Sequence, residues 1–369
     1  MSQSVSLTRL LTDKNDLGHT RVEQCELPAA PARGEAILSV DTFALTTNNI
    51  TYAAFGDAMR YWDFFPSGQP GWGQMPVWGF ATVSTSTVAG IEPGERFYGY
   101  FPIASQLRVR PGRLSERGFY DMSEHRRELP SPYNQYTRCA TDGAYVPELA
   151  DFQMLLRPLF FTSYMLADFL ADNAFFGAAQ IVISSASSKT AYGTAFALRE
   201  HGAAPTVIAL TSGHHRDYVS GLGLYDRIAD YHELDTLAAD IPTLYVDFSG
   251  NDALRRQIHA HFASALTYDC YAGSATNTDF LTTGYRYQPE PKLYFAPVQI
   301  RKRNIDWGPA VLAERFGAAQ RRFLAAVADS RNGWMTLIEH HGYSAAGQVI
   351  RALHDDGGAP REGHVVRLR

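Results

Sequence analysis

Between residues 155 and 273 the chain alternates apolar runs of strand length with amphipathic runs of helical length, and few folds satisfy that rhythm. LLRPLFFTSYMLADFLADN reads as a helix and GAAQIVISSAS as an apolar strand entering a turn of small residues. TAYGTAFALREHG then reads as a helix stopped by glycine, and TVIALTS as a second buried strand. PTLYVDFSG and ALTYDCYAG follow as strands on either side of the helix DALRRQIHAHFAS. Strands that are apolar on both faces need cover on both, so the segment 151–296 is expected to form a doubly wound parallel sheet wrapped by helices, within an α/β protein.

A different pattern precedes it. GEAILSVDTFAL, MPVWGFATVSTSTVAG and ERFYGYFPIASQLRVRP are short β segments broken by turn residues, which predicts a β-rich domain over 1–150. The part from 111 to 145, rich in Pro, Gly, Tyr and charge, is expected to be an irregular insertion or lid, or else a plain surface excursion. Beyond Tyr294 the rhythm changes again. A helical stretch around VLAERFGAAQRRFLAAVADS and a closing strand, GHVVRLR, are expected to complete the first domain with 297–369. A length of 369 residues accommodates two such cores.

The net charge of −5, with 45% hydrophobic and 19% charged residues, gives no general pull toward nucleic acid or an anionic membrane. The N-terminal MSQSVSLTRLLTDKND lacks a signal peptide's apolar core, and no run of about 18 uncharged apolar residues occurs, so a cytoplasmic protein is expected. Cys25, Cys139 and Cys270 are too far apart in sequence to form a metal knuckle, and they suit a reducing compartment. His214-His215 and His340-His341 are adjacent, so their side chains diverge, and surface or loop roles are expected. No metal site is expected.

The chemistry concentrates in IVISSASSKTA, residues 181–191. At a strand–turn–helix junction in a parallel sheet, backbone N–H groups and the positive helix end meet a pyrophosphate, which makes Ser185, Ser187, Ser188, Lys189 and Thr190 candidate cofactor-binding residues. The turn contains no glycine. Serine and alanine allow close approach but accept positive φ less readily, so a less extreme or displaced turn is expected. The Ser-Lys-Thr triplet resembles the end of a P-loop, yet no glycine stands five residues before Ser188. A ligand-free structural junction is the plain alternative. The second strand ends in Thr211-Ser212-Gly213-His214-His215-Arg216, with no carboxylate before Asp217. An NAD site places an acid there. Ser212 and Arg216, with the histidines, suit the 2′-phosphate of NADP(H); the alternative is a solvated polar loop.

The order of these segments resembles the quinone oxidoreductase branch of the medium-chain dehydrogenase/reductase superfamily over nearly the whole chain. ALTTNNITYAAFG is similar to the segment holding an Asn and a Thr-Tyr pair, here Thr51-Tyr52, with Thr47 at the Asn position and Asn48 alongside. GERFYG, residues 94–99, resembles the branch's GDRVYG-like phrase, and PLFFTSYMLADFL resembles the helix that brings Thr162 near the nicotinamide. TSGHHR and ADYHEL are similar to segments that hold the adenosine phosphate, implicating Ser212, Arg216 and Tyr231, and VDFSGN resembles a strand end that implicates Ser249. The zinc-binding Cys and His residues of other members have no counterparts. More narrowly, SASSK with FAPVQIRKRNIDWG is similar to the family called domain of unknown function 2855. The resemblance implies a GroES-like β-rich catalytic domain beside a Rossmann-type dinucleotide domain.

A zinc-free reductase needs a hydride donor, a group that polarises the carbonyl oxygen, and a proton route. The resemblance makes Tyr52 the donor, with Asn48 and Thr162 orienting substrate or nicotinamide; core and capping roles are the alternatives. Tyr133, Asn134 and Tyr136 join them if 111–145 folds over the cleft. Tyr61, Trp62, Phe64, Phe65, Trp72 and Trp78 either line a pocket for a bulky apolar small molecule or pack as core. Arg301, Lys302 and Arg303 are a solvated basic turn or a site for an acidic substrate. The expected function is NADP(H)-dependent reduction of a quinone- or enone-like carbonyl compound, with a homodimer left open. The alternatives are a lyase-like enzyme using Tyr52 or Lys189 as acid/base, and a non-catalytic nucleotide-sensing protein.

Overall fold

A computed structural model describes residues 4–202, 205–273 and 286–368. The chain divides into two compact units, Met1–Leu155 with Thr336–Arg369, and Leu156–Met335.

The first unit is built around the strand Ala36–Leu45, in which every residue but Asp41 is buried. It pairs antiparallel with Pro76–Ser86 and with Glu362–Arg367. Beyond Pro76–Ser86 the sheet continues through Arg96–Pro102, Gln135–Arg138, Gly118–Asp121 and Pro111–Ser115. At its other end Thr336–His341 runs parallel to Glu362–Arg367, and the helix Gly342–Asp356 connects the two. That helix places Ala346, Val349, Ile350 and Leu353 on one stripe, which packs into the core with Leu38, Phe43 and Val366.

Residues 111–145 are not an irregular insertion. Three of their segments are strands of the main sheet, and between them lies the buried ion pair Arg126–Asp121, at 3.0 Å with 1% exposure on each side chain. Arg126 also donates to Asn134 Oδ1 at 2.8 Å, the Tyr136 hydroxyl at 2.9 Å and the Tyr133 carbonyl at 2.6 Å. The polar composition that reads as a loop therefore feeds a saturated internal network. Asn134 and Tyr136, proposed as cleft residues from sequence, are members of that network. Removing the guanidinium strands the Asp121 carboxylate, so Arg126→Ala should lower the unfolding free energy of this unit by about 3–5 kcal/mol in urea titration. A loss below about 1 kcal/mol, the worth of a surface pair, would contradict the assignment.

Among the described residues the second unit holds a six-stranded, all-parallel sheet. In spatial order its strands are Arg227–Asp230, Thr206–Thr211, Gln180–Ile183, Thr243–Asp247, Leu266–Tyr271 and Lys292–Leu293. Numbered along the chain this is 3-2-1-4-5-6, with the order reversing between Gln180–Ile183 and Thr243–Asp247, which makes this the Rossmann-type unit. One face is packed by Val182, Ile208, Tyr245, Leu254, Ile258 and Phe262. The helix Ala150–Asp172 brings Phe160, which stacks on Phe323 of the helix Pro309–Ala328 at 4.1 Å. Among the described residues Pro147–Asp172 is the one helix long and apolar enough to cross a membrane, and its Phe160, Met165, Leu166 and Leu170 are buried in protein.

Residues 297–335, expected in the first domain, lie in the second unit. The Phe160–Phe323 stack holds them there, and so does Arg303, which pairs with Asp168 at 2.6 Å and Asp172 at 2.9 Å. Lys302 pairs with Asp172 and Asp306 at 3.0 and 2.7 Å. The basic triplet is thus on the helix Ala296–Asp306, with two of its charges balanced by acids of the same unit, and is not a turn.

Candidate functional site

At the switch point the strand Gln180–Ile183 runs into Ser184, whose hydroxyl donates to Asp247 Oδ1 at 2.8 Å. Ser185 follows with φ +48°, a left-handed conformation taken without glycine. This corrects the expectation of a less extreme turn: serine occupies the strained angle itself, at a cost of about 1–2 kcal/mol. The angle persists because its surroundings hold it. Ser185 N–H donates to the Tyr231 hydroxyl at 3.1 Å, and the buried Tyr225 hydroxyl donates to the Ala186 carbonyl at 2.9 Å. Ser188 is the N-cap of the helix Lys189–Glu200, accepting from Ala191 N–H at 3.3 Å. Lys189 and Thr190 open that helix, and the Thr190 carbonyl accepts from Ser163 at 2.7 Å.

The loop after the second strand meets the same turn. His215 Nδ1 lies 3.3 Å from both Ser187 Oγ and Ser212 Oγ, so one imidazole bridges two segments read separately from sequence. Burial, then the neighbouring His214, holds the His215 imidazole below its ordinary pKa, which favours the neutral ring. Arg216 is turned to Glu233, with Nη1–Oε2 at 2.6 Å, both side chains 43% exposed. Glu233 also accepts from Asp230 N–H at 3.1 Å; that bond first, and Arg216 after it, keeps the carboxyl below its ordinary range. Ser249 donates its hydroxyl to Asp247 Oδ1 at 2.7 Å. Ser185, Ser187, Ser212, Tyr231 and Ser249 are therefore linked around one strand end, through Ser184, His215 and Asp247. Thr162, on its own helix, donates to the Pro158 carbonyl at 3.3 Å.

Sequence reading missed a buried group behind this end of the sheet. Arg255 Nη2 meets Asp247 Oδ2 at 2.6 Å, Arg255 Nε lies 3.2 Å from Asp269 Oδ2, and His259 Nε2 lies 2.8 Å from that same oxygen. The signal was available: Arg255 and His259 stand four apart on a helix beside two acid-bearing apolar strands.

In the first unit Tyr52 lies on the helix Thr47–Ala54, capped by Thr46 and by Asn49, whose side-chain amide donates to the Pro76 carbonyl at 2.9 Å. Asn48 is half-buried one turn before Tyr52. Tyr52 is 7% exposed, its hydroxyl accepts from Trp78 Nε1 at 3.1 Å, and its ring packs on Tyr61 at 4.9 Å and on Tyr100 edge-on at 5.5 Å. Burial pushes its phenol well above the ordinary tyrosine value, so it stays protonated and able to donate. Phe64 and Phe65 are core members of the same cluster, Trp62 is buried in the main core, and Trp72 lies beneath the Arg21 guanidinium at 3.9 Å. Trp62, Phe64 and Phe65 thus pack as core, with Tyr61 and Trp78 partly buried against the Phe64 cluster. Among the described residues no group of three or more His, Cys, Asp or Glu is placed to hold a metal ion.

The model of the family described as protein of unknown function (DUF2855) matches residues 43–359. No curated protein matches the sequence. Among solved structures the chain is similar to CurA from Vibrio vulnificus, at 14% identity and TM-score 0.58, covering 99% of each chain; CurA is also solved with NADPH. It is similar to the yhdH oxidoreductase from Salmonella enterica in complex with NADP, at 15% identity and TM-score 0.52, covering 100% of each chain. The quinone oxidoreductase from Coxiella burnetii is 12% identical, with TM-score 0.53 over 99% of this chain and 100% of that one. At such identities the likeness is one of fold.

The left-handed serine yields a direct test. Ser185→Gly should raise stability by up to about 1 kcal/mol by relieving the strained φ, whereas Ser185→Val should lower it by about 1–3 kcal/mol. Chemical denaturation of the two variants reads both; a destabilised Ser185→Gly would mean that the hydroxyl, and not the angle, is what matters there.

Proposed function

The chain belongs to the DUF2855 family, and on its medium-chain dehydrogenase/reductase fold we propose that it is an NADP(H)-dependent reductase of quinone- or enone-like carbonyl compounds that works without zinc. The observation that carries this reading is the exit of the second strand, which offers Ser212, His215 and Arg216 and no carboxylate before Asp217, beside a strand–turn–helix at the switch point. The solved relatives whose names give NADPH or NADP support the choice of cofactor.

The residues fit a dinucleotide. Ser185 supplies the positive φ, Ser184, Ala186 and Ser187 keep the approach narrow, and the helix Lys189–Glu200 begins there. Lys189 in its first turn is a cation at the positive helix end, unfavourable for the helix alone and favourable beside a diphosphate. When bound, the cofactor supplies hydride. The chain does the rest: Ser187, Ser188, Lys189 and Thr190 hold the diphosphate, Ser212 and Arg216 the 2′-phosphate, and Tyr231 and Ser249 the adenosine and ribose side. Thr162 orients the nicotinamide amide, Asn48 the substrate, and Tyr52 gives a proton to the substrate oxygen. The dispersed cysteines support catalysis without zinc; metal analysis giving about one zinc per chain would overturn that part.

A second reading, nucleotide sensing without turnover, is favoured by two contacts. Tyr231 takes the Ser185 N–H, and Glu233 holds Arg216, so the loop satisfies itself. Binding of NADPH without turnover of a carbonyl panel would decide for it.

The Arg216–Glu233 pair makes the cofactor assignment specific. For Arg216 to reach a 2′-phosphate it must leave Glu233, so Glu233→Gln should tighten NADPH binding several-fold. Arg216→Ala should weaken it by about 1–3 kcal/mol, and neither should move NADH. Calorimetric titration reads all four combinations. Equal effects on both dinucleotides would remove Arg216 from the 2′-phosphate site, and no binding by the unmodified chain would overturn the dinucleotide reading.

A further inference from the structure

One imidazole nitrogen holds the hydroxyls of two serines that come from different strand ends. His215 Nδ1 lies 3.3 Å from Ser187 Oγ, in the turn after Gln180–Ile183, and 3.3 Å from Ser212 Oγ, just beyond Thr206–Thr211. Those two strands are parallel neighbours, which brings their exits side by side. Ser212 is the N-cap of the short helical turn Gly213–His215, where a serine hydroxyl ordinarily accepts a backbone N–H. It makes no such bond and is turned to the ring instead. Ser187 is 8% exposed, so its hydroxyl depends on a protein partner more than on water.

What the two hydroxyls offer to an arriving anion depends on the proton count of that ring. A bare Nδ1 has one lone pair, and both serine protons are drawn toward it. In the imidazolium Nδ1–H is a donor, the serine oxygens accept, and each hydroxyl proton is released to point at a third atom. Protonation therefore turns two inward donors outward and sets a positive charge beside them. The free protein stands on the other side of that change: burial, then His214 with its ring 5.1 Å away, favours the neutral form. The other charged and titratable groups around the ring are engaged or solvated. Arg216 is held by Glu233 at 2.6 Å, and Asp230, which comes so close to Gly213 that a side chain there would meet its Oδ2 at 2.8 Å, accepts from His232 N–H at 2.9 Å. Tyr231 accepts from Ser185 N–H and Tyr225 donates to the Ala186 carbonyl. Lys189 opens the helix behind Ser187, and Asp217 is exposed.

We propose that His215 is a positioning residue that takes up a proton when the phosphates of a dinucleotide bind, and so turns the Ser187 and Ser212 hydroxyls onto them. This role rests on the dinucleotide reading of the strand end. Solvent gives one proton to the ring nitrogen that lacks it, and the proton returns to solvent when the ligand leaves; no other bond is made or broken. The sign follows. Bound phosphate raises the ring's pKa from its lowered free value, so binding draws a proton between the two values, and affinity falls as pH rises through the upper one.

Calorimetric titration of the full chain with NADP⁺, in buffers of different ionisation enthalpy, counts the protons. At about pH 7 the unmodified chain should take up roughly half a proton or more per site, and its affinity should fall about fivefold between about pH 6.5 and 8.5. Ionisation of the 2′-phosphate, with a second pKa of about 6, pushes affinity the opposite way and cannot imitate that fall. His215→Gln keeps a polar side chain without a titrating ring. It should bind NADP⁺ more weakly, take up no proton and lose the pH dependence, which loss of packing alone would leave in place. Undiminished uptake in His215→Gln would overturn the inference, and so would binding by the unmodified chain with no uptake; in either case the dinucleotide reading stands. No binding of NADP⁺ by the unmodified chain would overturn that reading and the inference with it. If the variant does not fold, nitrogen-15 NMR of the unmodified protein decides: the His215 ring should pass from neutral to charged on addition of NADP⁺ at about pH 7, and a ring that stays neutral would overturn its role.

Discussion

The carboxylate of Asp247 is wholly buried at the point where two strands of the parallel sheet part, and what reaches it decides where the turn can run. One oxygen accepts from Ser184 Oγ, Ser249 N–H and Oγ, and Gly250 N–H; the other meets Arg255. A buried charge so placed is tolerable only when every lone pair is answered, and here each answer fixes a backbone segment. Ser184 is pinned at the end of the first strand and Ser249 at the end of the fourth. The left-handed residue comes immediately after the pinned Ser184. The turn proposed to hold the dinucleotide is thus positioned from behind, by Arg255, Asp269 and His259, none of which lies in it.

The architecture was legible where the apolar pattern was long. IVIS, TVIALT, TLYVD and LTYDCY read as strands because each keeps both faces apolar, and the strands at 180–183, 206–211, 243–247 and 266–271 are the middle four of the sheet. Arg227–Asp230 and Lys292–Leu293 went unread; four and two residues are too short to display a period. Residues 111–145 misled for a different reason. Their Arg, Asn and Tyr look solvated until Arg126, Asp121, Asn134 and Tyr136 are seen to satisfy one another, and no local pattern announces partners five to ten residues apart in an extended chain.

For the site, sequence located the segments and missed their connections. The small-residue turn and the carboxylate-free second loop were both visible, while the His215 bridge between them depends on the sheet bringing two strand ends side by side. The pairing of Arg216 with Glu233 was hidden in the same way, since 17 residues and a strand separate them. Tyr52 came only through resemblance. Its aromatic neighbours Tyr61 and Tyr133 pack against its ring from segments that composition marked as core and as insertion, and only the fold brings the three together.

A turn written in serine and alanine also differs from one written in glycine before the chain has folded. Each glycine enlarges the unfolded ensemble, and a side chain at a position with ordinary negative φ removes about 0.4–1 kcal/mol of that disadvantage. From Ser184 to Ser188 only Ser185 takes a positive angle; Ser188, for one, sits at φ −72°. The strain at a single residue is therefore set against a smaller conformational loss at its neighbours. The loop is held in shape by chain statistics as well as by contacts, and the dinucleotide proposed for it would find little ordering left to do.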